Sequence, residues 1–367
     1  MRVSLSQPQE VCGRQIALAA AFLLPAAKLL EAPSLLATYA KGDLLLPAFL
    51  HFVVQFGILL ALIFTASKSE ETLFERINKR LGKWSFLFYF LYATYFLFSA
   101  ILPLLDMEKF TYAAFFDTSP TVFAFVTFFI FSGFLCAKGL KALGRAADLC
   151  LFLFLIPFLA LIGMSLSAAD FSNLLPLFET KLGDTMYAFK YTTPHFSDAV
   201  LLLPLIGNLR YKKGDGAKIL GGYAIGATGT LLFIATFFGI YSSIAPREHY
   251  AFSKIAEYFP ALDIIGRFDL LFVYMLTIVL LIYTTMPLQY TTQLICHGFH
   301  IKSGVLISAI LNAGALVFLL FANRRYNALY AFISGKLPFI FWLIADMVPL
   351  FLVFLPKNRK REEVYDA

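Results

Sequence analysis

The sequence predicts an all-α polytopic membrane protein of about ten transmembrane helices, on three observations. Of the 367 residues, 60% are hydrophobic, 14% are charged and 42 are Phe, with a mean hydropathy of +0.76. That composition argues against a soluble enzyme. Apolar runs recur along nearly the whole chain, each about the 20 residues that a membrane helix requires. Two runs, the first and the sixth, are interrupted by Pro and polar residues, which a bilayer tolerates only where they face protein or trapped water. The chain therefore reads as a single integral membrane domain, residues 1–367. Its first eleven residues are polar with a single Arg2, and no small-residue cleavage pattern follows, so a removable signal peptide is not expected.

The predicted spans are 12–38, 44–66, 84–105, 121–137, 146–167, 186–209, 217–243, 264–289, 304–321 and 337–355. The first carries Pro25, Lys28, Glu31 and Pro33 in its middle. Pro removes a backbone donor and clashes with the preceding turn, so a broken helix is predicted, with freed carbonyls lining a cavity. After the second span, ETLFERINKRLGK forms an amphipathic helix on the inner surface. The third presents Tyr89, Tyr92, Phe96 and Ser99 at helical spacing. In the sixth, MYAFKYTTPHFSDAV gathers Lys190, Thr192, Thr193, Pro194, His195, Ser197 and Asp198, so it too is predicted to break. Residues 214–222 have glycines and a Lys without phosphate-loop order, and read as a turn entering the seventh span. Gly222 and Gly226 on that span favour close helix packing. EHYAFSKIAEYF precedes the eighth span as a candidate external lid.

Five spans in 12–167 and five in 186–355 suggest a five-plus-five inverted repeat, each half opening on its broken helix. Placing the tails, 1–11 and 356–367, in the cytoplasm puts roughly 19 of the 30 Lys and Arg inside and 9 outside, with Lys28 and Lys190 within spans. The basic clusters at Arg76 to Lys83, Arg210 to Lys213 and 357–361 then face anionic lipid rather than nucleic acid. Cys12, Cys136, Cys150 and Cys296 are scattered, so free thiols and no metal are expected.

Four short motifs resemble the endospore germination permease family, the B subunits of nutrient germinant receptors. They are KLLEAPSLLATYAKGD at 28–43, GLKALGRAAD at 139–148, LLP at 174–176 and IIGRFDLLF at 264–272, in the family's order. The resemblance implies the leucine-transporter-like fold of the amino acid, polyamine and organocation superfamily. It also implies sensing or movement of a small germinant, typically an amino acid, with A and C receptor subunits as partners. The location implied is the cell membrane or the spore inner membrane. Two departures stand out: Ala26-Ala27-Lys28 replaces a Gly-rich first-span break, and Lys141 stands where the family's acidic residue usually lies.

The ligand-binding candidates are Lys28, Glu31, Pro33, Ser34, Tyr92, Thr192, Thr193, His195, Asp198 and Tyr274. Lys28 and Glu31, three apart, share a face on a helix and can pair. Either they neutralise one another, or Lys28 takes a ligand carboxylate and Glu31 exchanges a proton. His195 and Asp198 are a second same-face pair, for proton relay, ligand contact or structural hydrogen bonding. Glu31, His195 and Asp198 are thus the proton-coupling candidates. Lys190 can snorkel to the interface. Tyr274, Thr277, Thr284 and Thr285 of the eighth span are plausible pocket walls, but sodium coupling is not predicted. Arg267 and Asp269 suggest an orienting ion pair; Asn312 and Asp346 have no assigned role. No catalytic triad, cofactor loop or paired carboxylates point to an enzyme, and no cofactor is expected. The leading expectation is a receptor subunit that binds a small nutrient between helices 1 and 6. The alternative is an autonomous, proton-coupled amino acid permease.

Overall fold

The structure is a computed structural model that describes residues 11–69, 71–115, 121–176, 178–258, 269–299, 301, 304–322, 325–333 and 335–351. Every regular element among them is a helix. The first span is α1 (Gly13–Lys28) and α2 (Ala32–Ala40), bent by 60° where they meet. Next come α3 (Leu45–Ser67), the short α4 (Leu73–Leu81), and the third span as α5 (Ser85–Ser99) and α6 (Ile101–Phe115). The fourth and fifth spans are α7 (Thr121–Lys138) and α8 (Leu140–Ser165). The sixth is α9 (Leu182–Phe196) and α10 (Asp198–Gly207), followed by α11 (Asp215–Tyr241) and the short α12 (Ala251–Glu257). The chain closes with α13 (Asp269–Gly298), α14 (Val305–Ala322), α15 (Tyr326–Ile333) and α16 (Lys336–Phe351).

Among the described residues, six helical runs are long and apolar enough to cross a membrane, and the bent first pair makes a seventh if it counts as one span. The remaining predicted spans are the interrupted α9 and α10 and the shorter α7 and α16. Each predicted run therefore has its helix among the described residues. Phe49, Phe64, Phe90, Ile130, Phe152, Leu306 and Phe321 lie exposed on the bundle, an apolar exterior suited to lipid and unlike a soluble surface. The tails at 1–10 and 352–367, the 357–361 cluster, Arg267 and the start of the eighth span lie outside the described residues.

Local chemistry accounts for the boundaries that matter. Pro25 lies inside α1, whose preceding turn, Ala19–Leu23, widens to a π-helix, a common response to a disturbed hydrogen-bond ladder. Thr72 opens α4 by a capping box, accepting from the Glu75 amide at 3.2 Å while Glu75 returns a bond to the Thr72 amide at 3.0 Å. The amphipathic α4 forms as expected, but Leu73, Phe74 and Ile77 pack into the bundle instead of lying against lipid. Arg76, expected among lipid-facing charges, is buried and donates to the Thr65 carbonyl at 2.6 Å. Burial holds its pKa below the usual guanidinium range.

Glycines set the closest approaches. Gly214, at φ 95°, makes the turn into α11. A Cβ on Gly222 would overlap the Ala17 carbonyl, and one on Gly226 would lie 2.6 Å from the Ala20 oxygen, so α11 presses its small-residue face onto α1. Gly207, at the end of α10, has the Phe74 ring of α4 where its Cβ would be.

Candidate functional site

The two helix breaks face each other across the bundle. In the first span, α1 ends at Lys28, residues 29–31 leave the helix, and α2 restarts with Pro33 in its first turn. Pro is tolerated there because the first-turn amides lack intrahelical acceptors in any case. The Ser34 hydroxyl donates to the Glu31 carbonyl at 3.0 Å and tightens the restart. In the sixth span, Pro194 weakens the last turn of α9 and Ser197 leaves the helix at φ −76°, ψ 56°; Asp198 then opens α10, where a carboxylate suits the helix dipole.

Lys28 and Asp198 join the two breaks. Their side chains are 1% and 2% exposed, and Lys28 Nζ meets Asp198 Oδ1 at 2.5 Å. Lys28 also donates to the Leu24 carbonyl at 3.2 Å and lies 5.5 Å from the Phe196 ring centroid. The other Asp198 oxygen accepts from the Tyr223 hydroxyl of α11 at 3.1 Å. A pair this dry persists only because each charge is neutralised and hydrogen-bonded. Gln55 of α3 adds a further tie, accepting from the Ala199 amide at 2.9 Å and donating to Asp346 of α16 at 3.0 Å. All ten residues of α10 are buried.

Beside this pair lies a cleft. The first span contributes Ala27 and Leu30, the third Leu102, Pro103, Asp106 and Met107, the sixth Pro194 and His195, and the eighth Leu280, Tyr283 and Thr284. Its volume of about 30 Å³ suits water on the order of one or two molecules. An amino acid needs the helices to part.

The α12 segment covers the first break. The amides of Ala251 and Phe252 donate to the Leu30 and Leu29 carbonyls, each at 3.0 Å, so carbonyls expected to line a cavity are occupied by protein. His249 Nδ1 lies 3.3 Å from Glu31 Oε2, and the hydrogen bond to Glu31 outweighs burial to raise the His249 pKa. On the same side, Asp43 accepts from the Phe178 amide at 2.6 Å, the Thr180 amide at 2.7 Å and the Thr180 hydroxyl at 2.6 Å. Burial works to raise its pKa, but the Thr180 and Phe178 bonds prevail and hold it below the usual carboxylate range.

Several expectations need correction. Lys28 pairs with Asp198 and Glu31 with His249, not with each other, because the helix that would align Lys28 and Glu31 ends between them. His195 and Asp198 likewise sit on different helices: His195 lines the cleft and Asp198 takes Lys28. The Thr192 and Thr193 hydroxyls donate to the Ala188 and Phe189 carbonyls, at 2.7 and 2.9 Å, bracing α9 ahead of Pro194. Thr192 also meets His51 at 3.1 Å, a buried ring stacked between Phe189 and Phe196. Tyr92 donates to the Ala345 carbonyl of α16 at 3.0 Å, away from the cleft, and Tyr274 is exposed on the exterior of the bundle. Lys190 lies over the rings of Tyr191 and Phe339. Sequence reasoning missed Asp106, Tyr283, Gln55 and Tyr223. Asp106 begins a polar stretch that resembles the end of the third span, yet α6 continues to Phe115 and buries it.

A family described as spore germination protein matches the chain over residues 48–327. None of the curated proteins matches. Crystal structures of two mutants of the Eremococcus coleocola manganese transporter superpose with TM-scores of 0.59 and 0.60. Each is 13% identical, over 96% of this chain and 81% and 82% of theirs. Mhp1, a nucleobase-cation-symport-1 family transporter, covers 95% of both chains at 14% identity with a TM-score of 0.41. At such identities the manganese transporter is a likeness of fold, and that fold is a transporter's.

Proposed function

Because this chain belongs to the spore germination protein family and is a transporter-like, multi-pass membrane protein, we propose that it binds a small nutrient, an amino acid, in the cleft between its broken first and sixth spans. One observation carries this reading: the cleft is the place where both breaks meet the third and eighth spans, with acidic and neutral polar groups on one wall set. Asp106 suits an ammonium, while His195, Tyr283 and Thr284 offer donors to a carboxylate. Lys28, held by Asp198, fastens the two breaks rather than meeting the ligand directly. With both termini in the cytoplasm, α12 lies outside as a lid and α4 inside. The two five-helix halves, 12–167 and 186–355, then form the inverted repeat. In a spore inner membrane, nutrient binding would shift the opening equilibrium of this subunit, and A and C subunits would read the change.

An autonomous permease would use the same cleft but must also release its ligand on the other side. The test is equilibrium binding and uptake of radiolabelled amino acids by the purified protein in sealed vesicles, with Ala27→Leu to fill the cleft. Saturable binding that Ala27→Leu removes at unchanged protein level supports the cleft. Binding without accumulation identifies a sensor. Accumulation driven by a pH gradient and collapsed by a protonophore identifies a permease. No saturable binding across the panel would sink the amino acid reading.

A further inference from the structure

A second buried carboxylate lies outside the cleft. Asp346, on α16, is 6% exposed. Its Oδ2 accepts from Gln55, whose own carbonyl oxygen accepts from the Ala199 amide in the first turn of α10. Its Oδ1 is buried without a hydrogen bond of its own, the neighbouring Ser197 hydroxyl donating instead to the Thr193 carbonyl at 3.3 Å. Among the described residues Asp346 has no ion pair, and the nearby buried cation, Lys28, is taken by Asp198. The groups that face it are Gln55 of α3, Tyr92 and Tyr95 of α5, Ser197 and Asp198 of the sixth span, and Tyr223 of α11. Lys190 of α9 reaches α16 only at the Phe339 ring, two turns away. None of these supplies a positive charge at Asp346, and Asp198 adds a negative one.

An ionised carboxylate in such a place lacks a counter-ion and leaves one oxygen bare, at a cost of several kcal/mol. A neutral acid needs only an acceptor for its O–H. The Tyr95 hydroxyl, also buried without a partner, belongs to the same region: its ring packs 4.9 Å from that of Trp342, one turn before Asp346. We propose that Asp346 is a proton-binding site, with the proton on Oδ1 and Gln55 on Oδ2. The proton comes from water and returns to it, with no other bond made or broken. Gln55 joins this acid to the first turn of α10, so proton occupancy in the tenth span acts on the break of the sixth. Loss of the proton places a second charge near Asp198 and draws Gln55 away from the Ala199 amide. This holds for whichever ligand the cleft takes, and for sensor and permease alike.

The test is infrared spectroscopy of the purified full-length protein in lipid nanodiscs, combined with hydrogen exchange of residues 198–207. Wild type should show the carbonyl stretch of a buried protonated acid near neutral pH. Asp346→Asn should lack it, Asp346→Glu should shift it, and Glu31→Gln should leave it unchanged. As pH rises and the band fades, exchange in 198–207 should increase by about tenfold after correction for intrinsic rates. Asp346→Asn should abolish that dependence, and Gln55→Leu should keep the band but lose the dependence. A wild-type band that survives in Asp346→Asn would overturn the proposal. So would a band displaced when sodium replaces choline at constant pH, because the site would then hold a cation. If Asp346→Asn does not fold, failure of Asp346→Glu to shift the band is the overturning result.

Discussion

The first and sixth spans break at facing positions and are held in different ways. The first opens over three residues with a 60° bend, and its freed carbonyls are taken by the α12 amides under a half-exposed His249. The sixth opens at Ser197 alone, and Lys28, Tyr223 and Gln55 fasten its second half from three other spans, all in dry surroundings. The backbone bonds that close the first break are as buried as the pair at the sixth, but they join neutral groups, which separate at lower cost than two charges left unpaired in a dry interior. The difference assigns the two breaks different tasks. If opening starts where separation costs least, it starts at the first break, and the sixth holds the two halves of the bundle in register.

The largest effect is expected from removing one member of the dry pair. Lys28→Met leaves Asp198 buried and alone, and should cost about 3–5 kcal/mol of stability in detergent melts. Adding Asp198→Leu should restore much of the loss. A double variant no better than the single would mean that the pair does not fasten the breaks. Next, Gly226→Val drives a side chain against the Ala20 carbonyl and should cost about 1–3 kcal/mol by overpacking. Gly221→Ala, which meets nothing within 4 Å, should melt like wild type.

On the loop side, Asp43 ties the end of the first span to the stretch leading into α9. Asp43→Ala should cost about 1–3 kcal/mol through the amides left unpaired. Because its folded pKa is lowered, its stabilisation is present above the unfolded carboxylate range and is lost as pH falls through the folded value. Melts that are insensitive to acid in Asp43→Ala but not in wild type would confirm it. The smallest effect belongs to His249→Ala, about 0.5 kcal/mol or less at an exposed pair. The raised pKa of His249 has the opposite sense: its contribution is complete below the unfolded value and disappears as pH rises through the folded one. Hydrogen exchange in 251–257 should therefore quicken on alkalinisation in wild type and show no such added step in His249→Ala.

The fold was legible because span length and hydropathy are properties of each segment by itself, and so were both breaks, from Pro25, Pro33 and Pro194. What failed was pairing across them. The three-residue rule that joins Lys28 to Glu31 assumes one continuous helix, and the break it was meant to explain removes that condition. Tyr92 and Tyr274 share helical spacing with wall residues, but spacing on one helix does not say which neighbour a face meets. Gln55 and Tyr223 carried no signal because a lone amide or phenol in an apolar run looks like packing until its partner is known. Two buried opposite charges, each beside a break, were the one available hint that Lys28 and Asp198 belong together.

The seam between α1 and α11 has a mechanical consequence. At Gly222 backbone rests on backbone, and at Gly226 the Ala20 carbonyl and the rigid Pro25 ring fill the contact, so no flexible side chain is there to slide or repack. Helix α1 therefore cannot swing by itself: a rotation that begins at Lys28 carries α11 along as one stiff lever, and the far ends of both helices travel together.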